Sequence, residues 1–174
     1  IMVGEIRDAE TAELAIRASL TGHLILSTLH TNDSVSVVSR LRNMGLEPYL
    51  IAATLRCSIA QRLVRKLCPS CSREIDLSDR VKTLCKAFGI KGERMRIAVG
   101  CAGCGNTGYA GRTVIGEVFV INGEIERMIA NGSNEIDISN TAKKGMRSIV
   151  HDALEKVVRG ITTIEEVERE VLLP

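Results

Sequence analysis

Apolar positions in the first 61 residues follow two rhythms. From Ala9 to Leu20 the apolar residues Ala12, Ala15, Ile16, Ala18 and Leu20 recur at helical spacing, which predicts a helix packed on one face. Thr21-Gly22 ends it, because glycine takes the positive φ of a helix C-terminus without penalty. On either side the apolar residues run without a break. Ile1-Met2-Val3 reads as the end of a buried strand, and the stretch from His23 to His30 as a central parallel strand covered on both faces. Asn32 or Asp33 can cap a further helix that reaches Met44 ahead of Gly45. Pro48 suits the first turn of another, running to about Leu67. Strands alternating with helices predict an α/β fold.

Beyond Leu67 the rhythm weakens. Cysteines and glycines dominate as far as Arg112, with one short helix expected near Arg80 to Phe88. A strand follows over Thr113 to Val120, and the tail turns helical. Gly160 closes one helix, and Thr163-Ile164-Glu165-Glu166 fits a capping box for the next. The chain therefore divides into an α/β segment at 1–66, a cysteine module at 67–112, and a strand plus C-terminal helical subdomain at 113–174.

Composition narrows the function. The 174 residues are 45% apolar, enough for a core, and with two Tyr, two Phe and no Trp that core must be aliphatic. No apolar stretch approaches the roughly 20 residues of a membrane-spanning helix, and no secretory leader opens the sequence. The chain starts inside an apolar run, so it is expected to be the C-terminal part of a longer protein. The net charge of +2 is uneven: residues 62–112 carry 11 basic and 4 acidic side chains. A basic middle between acidic flanks is either a solvated surface or a module with an anionic partner.

Cys68-Pro69-Ser70-Cys71 and Cys101-Ala102-Gly103-Cys104 are two C-x-x-C knuckles. Two thiolates three positions apart grip one side of a metal ion, and two such pairs complete a tetrahedron. Two disulfides or redox-active pairs are the rival readings. The missing leader argues for a reducing compartment, and redox motifs normally come singly, so structural zinc is preferred. Four sulfurs leave no open coordination position, so the metal would stabilise and not catalyse. Cys57 and Cys85 read as small buried hydrophobes.

Both polar clusters of the α/β segment, Gly4-Glu5-Ile6-Arg7-Asp8 and Ser27 to Asn32, fall at the carboxyl ends of expected strands, where open α/β sheets bind ligands. Glu5 and His30 can thus face one pocket, a carboxylate there suiting water orientation in phosphoryl transfer. The stretch IMVGEIRDAETAELAIRASLTGHLILSTLHTND resembles the Walker B and His-box segment of the ATPases that drive type II secretion and type IV pilus assembly. The resemblance continues through the tetracysteine module and CGNTGYAGRTVIGEV to GMRSIVHDALEKVVRGITTIEEVERE at the C-terminus.

That resemblance implies the C-terminal half of a RecA-like P-loop ATPase core, with a zinc module and a helical subdomain. It gives Glu5 the role of the Walker B glutamate that activates water and helps place Mg²⁺, and His30 that of the His-box residue near the γ-phosphate. Gly4, Arg7 and His23 match the same motifs in support of the nucleotide site, as does Asp8 more weakly. It further implies ATP and Mg²⁺ in the parent, a hexamer at the cytoplasmic face of the inner membrane, and membrane platform proteins as partners. One departure stands out: the phosphate loop G-x-x-x-x-G-K-[ST] does not occur in this sequence, so the chain alone is expected to be inactive. The alternative is a zinc-ribbon module that binds nucleic acid or anionic lipid. Nucleic acid is the poorer expectation, since the basic region offers only Phe88 and Tyr109 for stacking.

Overall fold

A computed structural model describes residues 1–173. In chain order the helices and strands begin with α1 (Ala9–Leu20), α2 (Val37–Asn43), α3 (Pro48–Thr54), β1 (Cys57–Leu67), β2 (Arg73–Asp76) and α4 (Asp79–Ala87). They continue with β3 (Arg94–Ile97), β4 (Tyr109–Val120), α5 (Gly123–Ala130), α6 (Glu135–Lys143), α7 (Ile149–Val158) and α8 (Ile164–Glu170). The chain forms two compact units, residues 1–60 with 117–146, and residues 61–116 with the chain from Arg147 on.

In the first unit, α1 has the predicted extent. Asp8 caps it by accepting the Thr11 N–H, and Gly22 follows it at φ +92°. Residues 1–6 and 24–28, which flank it in sequence, run parallel side by side, with Met2 opposite Leu26. Hydrogen bonds from the Val3 N–H to the Leu26 carbonyl (2.9 Å) and from the Ile6 N–H to the Thr28 carbonyl (3.0 Å) join them. The expected strands are reduced to one isolated parallel bridge with a few flanking hydrogen bonds, and the segments are not covered on both faces. Val3, Ile25 and Leu29 pack on the core, while Leu24 and Leu26 are 71% and 55% exposed and Ile1 and Met2 are exposed with them.

Other expectations shift. Asp33 does not start α2 directly; its carboxylate accepts the Val35 and Ser36 N–H groups in a polar turn just before the helix. The helix from Pro48 ends at Thr54, and residues 57–67 form β1. Ala60, Val64 and Leu67 have helical spacing, but pairing with β4 overrides it. Ile51, Phe119, Ile125, Ile129 and Ile138 are buried in this unit's core.

In the second unit, β2 and β3 pair antiparallel from Arg73 opposite Ile97 to Asp76 opposite Arg94. Val64, Val81, Leu84, Ile115, Leu154, Val157 and Val167 form an aliphatic core around α4, α7 and α8. Gly160 ends α7 at φ +67°, and a Cβ there would lie 2.6 Å from Arg96 Cδ, so space and backbone both demand glycine. Only half of the expected capping box forms. Thr163 accepts the Glu166 N–H, but the Glu166 carboxylate turns to Arg65. The C-terminal helices do not make one subdomain: α5 and α6 belong to the first unit, α7 and α8 to the second. Cys85 is buried as expected, whereas Cys57 is exposed on β1.

Candidate functional site

Two groups of side chains carry chemistry, one in each unit. In the first, the parallel pair ends with its strands tied together on both sides of Glu5. The Thr28 hydroxyl donates to the Gly4 carbonyl (2.8 Å), and the Thr28 carbonyl accepts the Ile6 N–H. Arg7 bonds Glu5 Oε2, while His30 Nε2 stands 2.9 Å from Oε1. That approach has the distance of an ion pair, and among the described residues no donor meets Oε1 at good hydrogen-bond angles. The Arg7 hydrogen bond holds the Glu5 carboxyl below the usual carboxylate range, against the upward push of desolvation. At neutral pH this is an ionised carboxylate with one oxygen satisfied and one not.

The remaining residues expected here take different places. Gly4 has open space where a Cβ would stand, so local packing does not require glycine. The His23 ring lies at the end of α1, with Nδ1 3.1 Å from the Thr21 hydroxyl and 3.3 Å from the Ala18 carbonyl, and does not join Glu5. Asp8 is the cap of α1, and the Thr11 N–H it accepts lowers its pKa.

In the second unit the sulfurs of Cys68, Cys71, Cys101 and Cys104 all lie within 4.8 Å of one another. Cys71 and Cys104 sulfurs are 3.9 Å apart, and those of Cys101 and Cys104 3.7 Å. Four thiolates about 2.3 Å from a tetrahedral zinc ion would be spaced about 3.8 Å. The distances fit that ion and exceed a disulfide bond by far. Gly105, at φ +62°, turns the second knuckle. Burial pushes the Cys104 thiol up, but N–H groups of Cys101 and Gly108 pointing at its sulfur outweigh it, leaving Cys104 at about 6. Burial drives Cys71 up to about 11.

Sequence reading misses three features of these sites. Thr28 and the backbone donors of Cys101 and Gly108 carry no residue-type signal. Glu117 does carry one, as a charged residue at an inward position of an apolar strand, between Ile115 and Phe119. It is 6% exposed and accepts the N–H (2.9 Å) and the hydroxyl (2.8 Å) of Ser34.

The sequence matches the model of the family described as "Type II/IV secretion system protein" over residues 1–169. It is 48% identical over 170 residues to type II secretion system protein HxcR of Pseudomonas aeruginosa, covering 97% of this chain and 33% of that protein. Type IV pilus assembly ATPase PilB of Thermus thermophilus is 45% identical over 170 residues, covering 96% of this chain and 19% of that protein. The chain thus spans a third or less of these relatives. Among solved structures, the pilus retraction motor PilT with bound ADP superposes with a TM-score of 0.66 at 22% identity, over 100% of this chain and 40% of that one. The Legionella pneumophila ATPase DotB does so at 0.64 and 23%, over 97% and 37%. These likenesses show a shared α/β fold. With its family match running nearly end to end, the chain belongs to the type II/IV secretion system protein family.

Proposed function

We propose that this chain supplies the water-facing side of the nucleotide site in an ATPase that powers type II secretion or type IV pilus assembly. The observation that carries the reading is Glu5 Oε1: it belongs to an ionised carboxylate, meets no donor at good hydrogen-bond angles among the described residues, and lies 2.9 Å from His30 Nε2 where residues 1–6 and 24–28 end side by side. Such an oxygen is costly to leave unsatisfied, and a water proton or a cation satisfies it. When bound, Mg²⁺-ATP supplies the phosphoryl group and the cation that neutralises its oxygens.

The chain's own residues divide the remaining work. Arg7 fixes Oε2 and keeps the carboxylate charged, so Oε1 is the oxygen free to accept. A carboxylate of lowered pKa is a weak proton acceptor, which suits Glu5 to orienting a water or a metal-bound water more than to deprotonating it outright. His30 Nε2 stands where a donor can meet both Glu5 and an incoming oxyanion. The four cysteines hold a structural zinc ion. By resemblance the parent is a hexamer, peripheral at the cytoplasmic face of the inner membrane, working with membrane platform proteins. The chain by itself, with no phosphate-loop sequence, turns over no ATP.

Within the basic stretch 62–112, Arg65, Arg80 and Arg94 already pair with Glu166, Glu168 and Glu74, and with few aromatics there nucleic acid is the poorer reading. In the intact parent protein, Glu5→Gln is expected to lower kcat for ATP by roughly 100-fold or more, with KM little changed. Unchanged turnover would overturn the reading.

A further inference from the structure

The segment that carries His30 is anchored in the core at one end by a buried carboxylate. Glu117 lies on β4 at an inward position. Its Oε1 takes both donors of Ser34, a residue with no exposed surface, four positions after His30. Between the two the backbone folds into a polar turn. The Thr31 hydroxyl donates to the Asp33 carbonyl (2.9 Å), and Asp33 Oδ1 accepts the Val35 N–H (3.0 Å), the Ser36 N–H (2.8 Å) and the Ser36 hydroxyl (2.7 Å). At the other end of the segment, Thr28 is tied to Gly4 and Ile6.

Between these fixed points the His30 side chain is 86% exposed. Packing therefore does not hold the ring against Glu5. The path of the backbone does, and that path is set where it enters, at Thr28, and where it leaves, at Ser34. A buried charged residue is a demanding way to hold a turn, because its desolvation must be offset by good hydrogen bonds. In return it fixes a position more sharply than an apolar contact, since hydrogen bonds to a charged acceptor are short and directional.

We infer that Glu117 is a positioning residue for the nucleotide site: by fixing Ser34 it sets the 31–36 turn, and through that turn it keeps His30 Nε2 beside Glu5 Oε1. The inference rests on the roles proposed above for Glu5 and His30. A purely structural Glu117 would serve only the packing of Val37, Val38 and Leu41 that follow the turn.

A double-mutant cycle in the intact parent ATPase separates the two. Activity is measured per folded protein for Glu117→Leu, Glu117→Gln, Ser34→Ala, His30→Ala, and each of the first three combined with His30→Ala. Glu117→Leu is expected to lower kcat roughly tenfold or more with KM for ATP nearly unchanged, the signature of a misplaced group. Glu117→Gln, which keeps an acceptor oxygen for Ser34, should recover most of that loss. Adding His30→Ala should cost no more than His30→Ala alone, since the anchor acts through that ring. Losses that multiply overturn the inference. Should the leucine variant fail to fold, Ser34→Ala with and without His30→Ala gives the same comparison. Normal turnover in Glu5→Gln would refute the site reading itself. Loss of turnover there, together with multiplying Glu117 and His30 effects, would refute only the assignment of Glu117.

Discussion

Arg65 meets Glu166 with both the side chain and the backbone. Its guanidinium donates to both carboxylate oxygens, its own N–H donates to Oε2 (3.2 Å), and its Cζ sits 4.1 Å over the ring of Tyr109. The Tyr109 hydroxyl in turn meets that of Thr163 (2.9 Å), the cap of α8. The Glu166 side chain is 7% exposed and Arg65's 39%, so removing the glutamate strands a charge that can recover some water. Glu166→Ala is therefore expected to cost about 2 kcal/mol, or about 4–8 °C in Tm. The pH dependence follows from the same contacts. Arg65's hydrogen bonds hold the Glu166 carboxyl below its ordinary value of 4.5 in the folded state. A depressed folded pKa means the contribution is present above 4.5 and lost as pH falls through the lower, folded value. Denaturation at neutral and acid pH should show wild type and Glu166→Gln converging on acidification; a constant gap would refute the assignment. The sequence could show Glu166 only as half of a local capping box. Its actual partner is 101 residues away, and no local pattern encodes such a contact. Glu5 and His30 were legible for the opposite reason: both follow strand ends, where fold topology alone brings polar groups together.

Among the elements, α1 was readable because its signals are local, with Asp8 before it, helical spacing within it and Gly22 after it. Residues 57–67 misled because Ala60, Val64 and Leu67 have helical spacing in a strand that exists only through β4. The knuckles were readable from spacing alone, since C-x-x-C fixes two sulfurs on one side of an ion wherever the second pair lies in sequence. With all four sulfurs within 4.8 Å, a metal ion held there would join residues 68–71 to 101–104 and close the 29-residue insertion between them. Purified chain is expected to carry about one equivalent of zinc and Cys104→Ser less than about half of one, by metal analysis. Metal binding needs thiolates and releases protons. Because protons compete with the metal for the thiolates, chelator should melt the second unit more readily at acid than at neutral pH. Equal metal content in wild type and Cys104→Ser would rule out the four-sulfur site.

At the scale of the whole chain, a linear reading into three consecutive stretches does not describe how contacts group. Each compact unit takes one early and one late stretch, because β1 and β4 each pass from one unit to the other along their length. That exchange is invisible to periodicity, which sees only neighbours in sequence. The apolar run from His23 to His30 predicts a buried strand, but it makes only one isolated parallel bridge, at Leu26, and much of it is exposed. Met2 lies opposite Leu26, and Leu24 two residues from it, so Ile1 aside these side chains share one uncovered face. An exposed apolar face on paired strands invites another copy, and a net charge of only +2 does little to oppose it. The isolated chain is therefore expected to elute above its 18.9 kDa monomer mass in size-exclusion chromatography at about 0.1 mM, where weak association becomes populated. Leu24→Lys with Leu26→Lys should restore the monomer. The backbone bonds of Leu26 to Ile1 and Val3 do not involve its side chain, so the strand pair itself is kept. Association that survives both lysines would place the contact on another surface, and a wild-type chain that elutes as a monomer would refute the prediction outright.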